Sequence, residues 1–147
     1  MLSTRRTGPL VFLAFALPGC FDFGYVVSPP APRDAAPPMA PEGCVEGPAD
    51  LASATVLIRF STMDVDRHLA TVSAGGVVAW INGSTQNHTA TAGAPGADIL
   101  PGNGGFDSGP MSANGSTWAF RFCDPRSIEW YCRTHPAQMQ GYRIIVE

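Results

Sequence analysis

A short loop near the C-terminus, framed by two apolar segments, restricts the fold of this chain more than any other feature. The loop contains a thiol, an imidazole and a thioether within eight residues: Cys132, His135 and Met139. The segments on either side, residues 127–132 and 142–147, are rich in β-branched and aromatic residues, which favour β-strands. We therefore predict a loop between two strands that holds the three side chains at one end of a β-structure.

The loop side chains are suited to a soft transition metal. A thiolate, an imidazole and a thioether together suit copper better than zinc or magnesium. Zinc sites usually have about four ligands in paired motifs such as Cys-x2-Cys, and the distant Cys44 and Cys123 form no such pair. Cys132 and His135 could also be a catalytic nucleophile and its base. No orienting acid or oxyanion loop lies nearby in the sequence, so we expect no enzymatic activity.

A copper site of the trigonal type needs a second histidine, and the chain contains His68, His88 and His135. His68 lies in a charged segment and is predicted to be a surface residue. His88 follows a predicted strand and a polar turn, so it lies at a strand end like the loop. The predicted set is therefore two imidazoles, one thiolate and a weak axial thioether: His88, Cys132, His135 and Met139.

Short segments of alternating apolar and polar residues recur after residue 51, as in residues 55–60, 118–122 and 128–132. Turn signals such as Asn-Gly and Asp-Pro separate them, and no long stretch has a helical period. The 16 glycines and 14 prolines agree with a protein rich in loops. This pattern predicts an all-β sandwich, in which residues 92–106 form a long irregular connection.

Four segments in order resemble a cupredoxin, the blue-copper family of plastocyanin, pseudoazurin and amicyanin. They are Gly75-Gly-Val-Val-Ala-Trp-Ile-Asn82 with His88 and Thr89, Phe106-Asp-Ser-Gly109, Trp118-Ala-Phe-Arg-Phe122, and Trp130-Tyr-Cys-Arg-Thr-His135 with Pro136, Met139 and Gly141. The resemblance covers residues 51–147. One departure concerns the ligand loop: three residues separate His135 from Met139, between the amicyanin-like two and the plastocyanin-like four.

The resemblance implies a Greek-key β-sandwich that binds one Cu(I)/Cu(II) ion and transports electrons one at a time. It implies redox proteins as donor and acceptor, docking where His135 is surrounded by the apolar Pro136 and Ala137. A copper-binding module without a redox partner, for copper delivery, storage or sensing, is the alternative function.

Three further residues enter the predicted site. Asn87 and Thr89 flank His88, and we predict that they hydrogen-bond the Cys132 loop and so orient the ligands. Gln138 is the alternative to Met139 as the axial ligand. With three residues between His135 and Met139, the side-chain oxygen of Gln138 could reach the copper ion instead.

The first residues are typical of a bacterial lipoprotein signal peptide, predicted over residues 1–19. Arg5 and Arg6 precede an apolar run that is too short to anchor in a bilayer. Leu17-Pro-Gly-Cys20 then resembles a lipobox, whose cysteine carries lipid and becomes the mature N-terminus. An ordinary secretory signal, with Cys20 incidental, is the alternative.

Residues 20–50 are rich in proline and alanine and predict a disordered, semi-rigid tether before the copper-binding domain at residues 51–147. The protein is then exported, periplasmic or on the cell surface, and held at the outer side of a bacterial membrane by lipid on Cys20. The formal net charge of −3 makes nucleic acid an unsuitable partner.

The four cysteines can be assigned by function. If Cys20 carries lipid and Cys132 binds copper, Cys44 and Cys123 remain. An exported compartment permits a disulfide between them. Two free buried thiols are the alternative.

Overall fold

A computed structural model describes residues 39–147 of the chain. The predicted signal peptide, Cys20 and most of the predicted tether lie outside the described residues. Within them, nine strands form two mixed sheets, which confirms the predicted all-β Greek-key sandwich. In chain order the strands are β1 Gly47–Pro48, β2 Val56–Phe60, β3 Leu69–Val72, β4 Val77–Asn82, β5 Thr91–Ala94, β6 Ala97–Asp98, β7 Ser116–Arg121, β8 Arg126–Tyr131 and β9 Tyr142–Val146.

The strands are ordered β1-β7-β4-β2 in the first sheet and β3-β9-β8-β5-β6 in the second. β2 pairs with β4, and β3 with β9, in parallel, whereas the other neighbours are antiparallel. A turn of 3-10 helix, Leu51–Ser53, connects β1 to β2 and is capped by the side chain of Asp50. Within residues 39–147, no helix reaches the length and hydropathy that crossing a membrane requires.

The core between the sheets is built by the predicted inward-facing residues. Ile58 and Phe60 of β2, and Ile128 and Trp130 of β8, are buried, as the period-2 alternation predicts. Trp80 and Trp130 are fully buried and meet edge to face, with ring centroids 5.7 Å apart. These large rings fill the space between the two sheets and stabilise the packing of the strands from which the loops extend.

The predicted irregular connection at residues 92–106 contains β5 and the short β6, so this prediction was wrong in part. The sequence Ala-Gly-Ala-Pro-Gly-Ala gives no signal for this hairpin, because it lacks the β-branched and aromatic residues that favour strands. Gly93 is essential to the hairpin: it has φ of 104°, and a Cβ there would lie 2.2 Å from the carbonyl oxygen of Ala97.

The end of the predicted tether is attached to the sandwich. Cys44 and Cys123 form the predicted disulfide, and Glu46 forms an ion pair with Arg126. β1 then pairs with β7 ahead of Leu51, where the sequence placed the start of the domain. Pairing of so short a strand leaves no periodic signal in the sequence.

The strand directions place the loops at two opposite poles. β4 ends at Asn82, opposite the start of β7, while β7 ends near Cys123. Phe60, at the end of β2, contacts both His88 and Trp130, so the same pole includes the end of β8. We call this end, with His88 and Cys132, the ligand pole. Since β8 runs six residues from Arg126 to Tyr131, at about 3.3 Å per residue, the disulfide lies about 20 Å away, at the opposite pole.

Candidate metal centre

Three of the predicted ligands meet at the ligand pole. The ligand atoms of His88, Cys132 and His135 all lie within 4.8 Å of one another. The Sγ atom of Cys132 is 3.6 Å from Nδ1 of His88 and 3.7 Å from Nδ1 of His135. Both rings therefore face the sulfur with the same nitrogen, although His88 comes from a loop that is remote in sequence.

These separations fit three donors around a single metal ion. Bond lengths of about 2.0 Å to an imidazole nitrogen and about 2.3 Å to a thiolate sulfur place two such donors about 3.7 Å apart when the bond angle is about 120°. The observed distances need no adjustment of the protein. Two imidazoles and one thiolate in a trigonal set are the donors of a copper site, so the residues fit one copper ion.

Hydrogen bonds from the turn after β4 hold the His88 ring. Its Nε2 lies 2.9 Å from the Oγ of Ser84, and that hydroxyl donates to Oδ1 of Asn82 at 2.9 Å. Because the hydroxyl proton of Ser84 can go to Oδ1 of Asn82 or to the carbonyl of Gln86, Ser84 is free to accept the proton of Nε2, which leaves Nδ1 with a free lone pair. Phe60 stacks on the other side of the ring, with centroids 4.8 Å apart and planes 4° from parallel.

Asn82 organises the whole turn. Its side chain is fully buried, and its Nδ2, which has two protons, lies within hydrogen-bond distance, 2.8–3.0 Å, of three backbone carbonyl oxygens: those of Gln86, Met111 and Ser112. His88 itself exchanges two backbone hydrogen bonds with Met111. Neither Asn82 nor Ser84 was among the residues predicted from the sequence to support the ligands. The signal was present, because Asn-Gly-Ser is a turn whose side chains bond nearby backbone.

Burial also keeps His88 in its metal-binding form. Loss of solvent lowers the pKa of His88, and the nearby His135 lowers it further, while a hydrogen bond to the backbone of Ser61 acts in the opposite sense. The neutral imidazole is therefore favoured at neutral pH. A neutral ring can donate its Nδ1 lone pair to a cation.

The ligand loop is closed by its own backbone. The N–H of Cys132 donates to the carbonyl of Met139 at 2.8 Å, and the N–H of Met139 donates to the carbonyl of His135 at 2.9 Å. The Met139 side chain is fully buried, whereas Gln138 is exposed. Burial favours Met139 as the axial ligand over Gln138, and this assignment stays a prediction.

Comparison with known proteins shows what this architecture is. No protein-family model and no curated protein matches the chain significantly. Solved structures do match it. A methionine-to-glutamine variant of amicyanin in its Cu(I) form has a TM-score of 0.53 and 20% identity, covering 65% of this chain and 84% of its own. A purple cupredoxin from Nitrosopumilus maritimus has a TM-score of 0.53 and 18% identity, covering 63% and 99%.

An oxidised proline-to-alanine variant of amicyanin gives the same result, with a TM-score of 0.54, 18% identity, and coverage of 67% of this chain and 86% of its own. The chain has the cupredoxin fold. The predicted fold resemblance is thereby confirmed, although at these identities the likeness extends to the fold alone.

One of the two residues predicted to support the ligands of this site does so. The backbone N–H of Thr89 donates to Sγ of Cys132 at 3.3 Å, and the N–H of Arg133 donates to Oγ1 of Thr89 at 2.7 Å. The prediction for Asn87 was wrong. Its Oδ1 accepts from the N–H of Ala113 at 3.1 Å, so Asn87 stabilises the neighbouring loop.

The residues on either side of Cys132 are held by two carboxylates on the outside of the cupredoxin sandwich. Asp98 accepts from the hydroxyl of Tyr131 at 2.5 Å; burial, assisted by Asp98, raises the pKa of Tyr131 to about 12. Arg133 forms ion pairs with both Asp98 and Asp107, and the hydrogen bond that its guanidinium donates to Asp107 raises the pKa of Arg133.

Proposed function

We propose that this protein binds one copper ion through His88, Cys132 and His135 and carries one electron at a time. The buried cluster of two imidazoles and a thiolate, with sulfur-to-nitrogen distances of 3.6 and 3.7 Å, supports the proposal most directly. A bound copper ion would supply the one-electron Cu(II)/Cu(I) couple. Met139 would complete the set as a weak axial ligand.

In electron transfer, the protein holds the metal-ligand side chains in fixed positions. The Asn82 turn fixes the His88 ring, and the backbone bonds of the loop fix Cys132 and His135 before any metal arrives. A site held by fully bonded buried groups has little freedom to change shape between oxidation states. Small reorganisation favours rapid transfer.

One edge of the site is open to a partner. His88, Cys132 and Met139 are fully buried, while His135 is half-buried between the site and solvent. Pro136 and Ala137 are exposed beside it. We propose that redox proteins dock at this apolar edge and exchange electrons through the His135 ring.

Copper delivery is the competing function, and burial favours the carrier. A delivery site must hand its ion to another ligand, which is slow when two of three strong ligands are fully buried. We expect the copper-loaded domain, residues 39–147, to show fast electron self-exchange by NMR line broadening and to lose copper to excess chelator only over hours. Slow self-exchange with rapid loss of copper would overturn the carrier proposal in favour of delivery.

Export to an oxidising compartment, with a lipid anchor at Cys20, completes the proposal. A disulfide such as Cys44–Cys123 persists in oxidising surroundings and is rare in the cytosol. The tether enters the sandwich at the pole opposite His135.

Lipid attachment is tested directly on the full-length protein. We expect labelled fatty acid to attach to the wild type expressed in a bacterial host, and the protein to sediment with membranes. Cys20→Ala should lose the label and either stay unprocessed or appear in the soluble fraction. Cys132→Ser is the matched control, because it replaces another cysteine without breaking the Cys44–Cys123 disulfide and should keep the label. An unlabelled wild type would show that Cys20 is not a lipidation site.

A further inference from the structure

Asp107 lies between the ligand loop that follows β8 and the segment that carries Thr89 and Thr91. One carboxylate oxygen, Oδ1, accepts from the N–H of Gly109 at 3.1 Å and from the hydroxyl of Thr91 at 3.2 Å. The other, Oδ2, pairs with the guanidinium of Arg133. Asp107 lies in the segment that bridges to Thr91, so its side chain ties three separate pieces of backbone together.

A line of short contacts runs from Asp107 to the thiolate. Oγ1 of Thr91 is 3.1 Å from Oγ1 of Thr89, and both threonines are buried. Thr89 in turn contacts the ligand loop twice: its N–H donates to Sγ of Cys132, and its hydroxyl oxygen accepts from the N–H of Arg133.

The available protons give this line a direction. An ionised carboxylate only accepts hydrogen bonds, so the single hydroxyl proton of Thr91 goes to Asp107. The hydroxyl of Thr89 then donates to Thr91, and its lone pairs accept from Arg133. Both contacts of Thr91 are hydrogen bonds only in this arrangement, because its single proton cannot go to both neighbours, and charge-assisted bonds such as the one to Asp107 are the strongest of the set.

We propose that Asp107 is a positioning residue for the metal centre, acting through Thr91 and Thr89 to aim the Thr89 N–H at the Cys132 sulfur. The inference rests on the proposed copper site for its electronic consequence, but the aiming itself is a property of the protein alone. Hydrogen bonding around the cysteine sulfur is one of the factors that set the potential of such sites, so Asp107 influences the potential without touching the ligands.

Asp98 provides the matched control for charge. It also pairs with Arg133, and both carboxylates have side-chain exposures of 29%. Removing either therefore changes the net charge near Arg133 by the same amount. Only Asp107 has hydrogen bonds to Thr91 and Gly109.

The first test uses the copper-free domain and measures hydrogen exchange at the Thr89 amide. Asp107→Ala should speed exchange about tenfold, the change expected when a charge-assisted hydrogen bond of about 1.4 kcal/mol is lost. Asp98→Ala should leave the rate within about twofold of the wild type. Equal rates in the two variants, or an unchanged rate in Asp107→Ala, would overturn the proposal. Because no copper is present, this result stands whether or not the copper proposal holds.

The second test uses Thr91→Val, which removes the connecting hydroxyl without changing any charge and remains available if Asp107→Ala does not fold. It should also speed Thr89 exchange about tenfold. In the Cu(II) domain, a weaker bond to the thiolate should move the sulfur-to-copper absorption band to longer wavelength and lower the reduction potential. If the absorption band and the Thr89 exchange rate of Thr91→Val both equal those of the wild type, the proposal that Asp107 acts through Thr91 is overturned.

Discussion

Cys132→Ser should abolish the intense blue colour of the Cu(II) domain. In a thiolate site the strong visible absorption comes from transfer of electron density from sulfur to Cu(II), and a serine oxygen, which holds its electrons more tightly, cannot supply it. The fold should survive because the substitution is nearly isosteric and Cys132 lies in a loop closed by backbone bonds. Visible absorption of the copper-titrated variant, with circular dichroism to check folding, measures the effect.

Met139→Leu is the matched control for this loss. It also replaces a fully buried sulfur-containing side chain of the loop, but a thioether is a weak axial ligand, so the blue colour should persist. The reduction potential should rise, because apolar surroundings disfavour the more charged Cu(II) state. Colour that survives in Cys132→Ser would exclude a thiolate site. An unchanged potential in Met139→Leu would show that Met139 is not the axial ligand.

The ligand residues could be found from sequence because their chemistry is local. Cys132, His135 and Met139 share one loop, and the alternation of the flanking strands indicates where that loop must be. His88 required only the further step of asking which other histidine lies at a strand end. The sandwich followed from the same alternation, since a period of two leaves one face of each strand buried.

The supporting residues could not be found in this way, because their roles depend on contacts between distant segments. Asp107 reaches Arg133 and Thr91 only once the strands are paired, and no pattern links these positions beforehand. Asn87 and Asn82 are both asparagines near His88, yet only the buried Asn82 is connected to it through Ser84. Packing decides which asparagine faces inward. The distance of each asparagine from His88 along the sequence does not distinguish them, because both are close enough to support the ring.

The attachment of the tether to the sandwich likewise depends on contacts between distant segments that the sequence does not show. Gly47–Pro48 has no strand-like composition, and β1 forms because the disulfide and the Glu46–Arg126 pair hold it beside the edge of β7. The cysteine pairing itself could be predicted by elimination. Its structural effect, extension of the first sheet by one short strand, could not.

Removing the disulfide should greatly weaken the fold without altering the metal centre. Cys44 and Cys123 are separated by 79 positions, and a cross-link closing a loop of that size stabilises the native state by about 4 kcal/mol through restriction of the unfolded chain. The double variant Cys44→Ala/Cys123→Ala should lose about this much free energy of unfolding in urea titrations of the copper-free domain. Wild type reduced with a thiol reagent is the matched comparison, because it breaks the same bond while keeping both side chains.

The spectrum of the same variant tests the separation of the two poles. The disulfide lies at the far end of β8, beyond Arg126, whereas the ligands are fixed by the Asn82 turn and by the loop's own backbone bonds. At temperatures where the variant is folded, its blue absorption band and reduction potential should therefore equal those of the wild type. A stability within about 1 kcal/mol of the wild type would contradict the cross-link argument. A shifted band would instead show that loss of the disulfide changes the surroundings of Cys132 at the opposite pole of the sandwich.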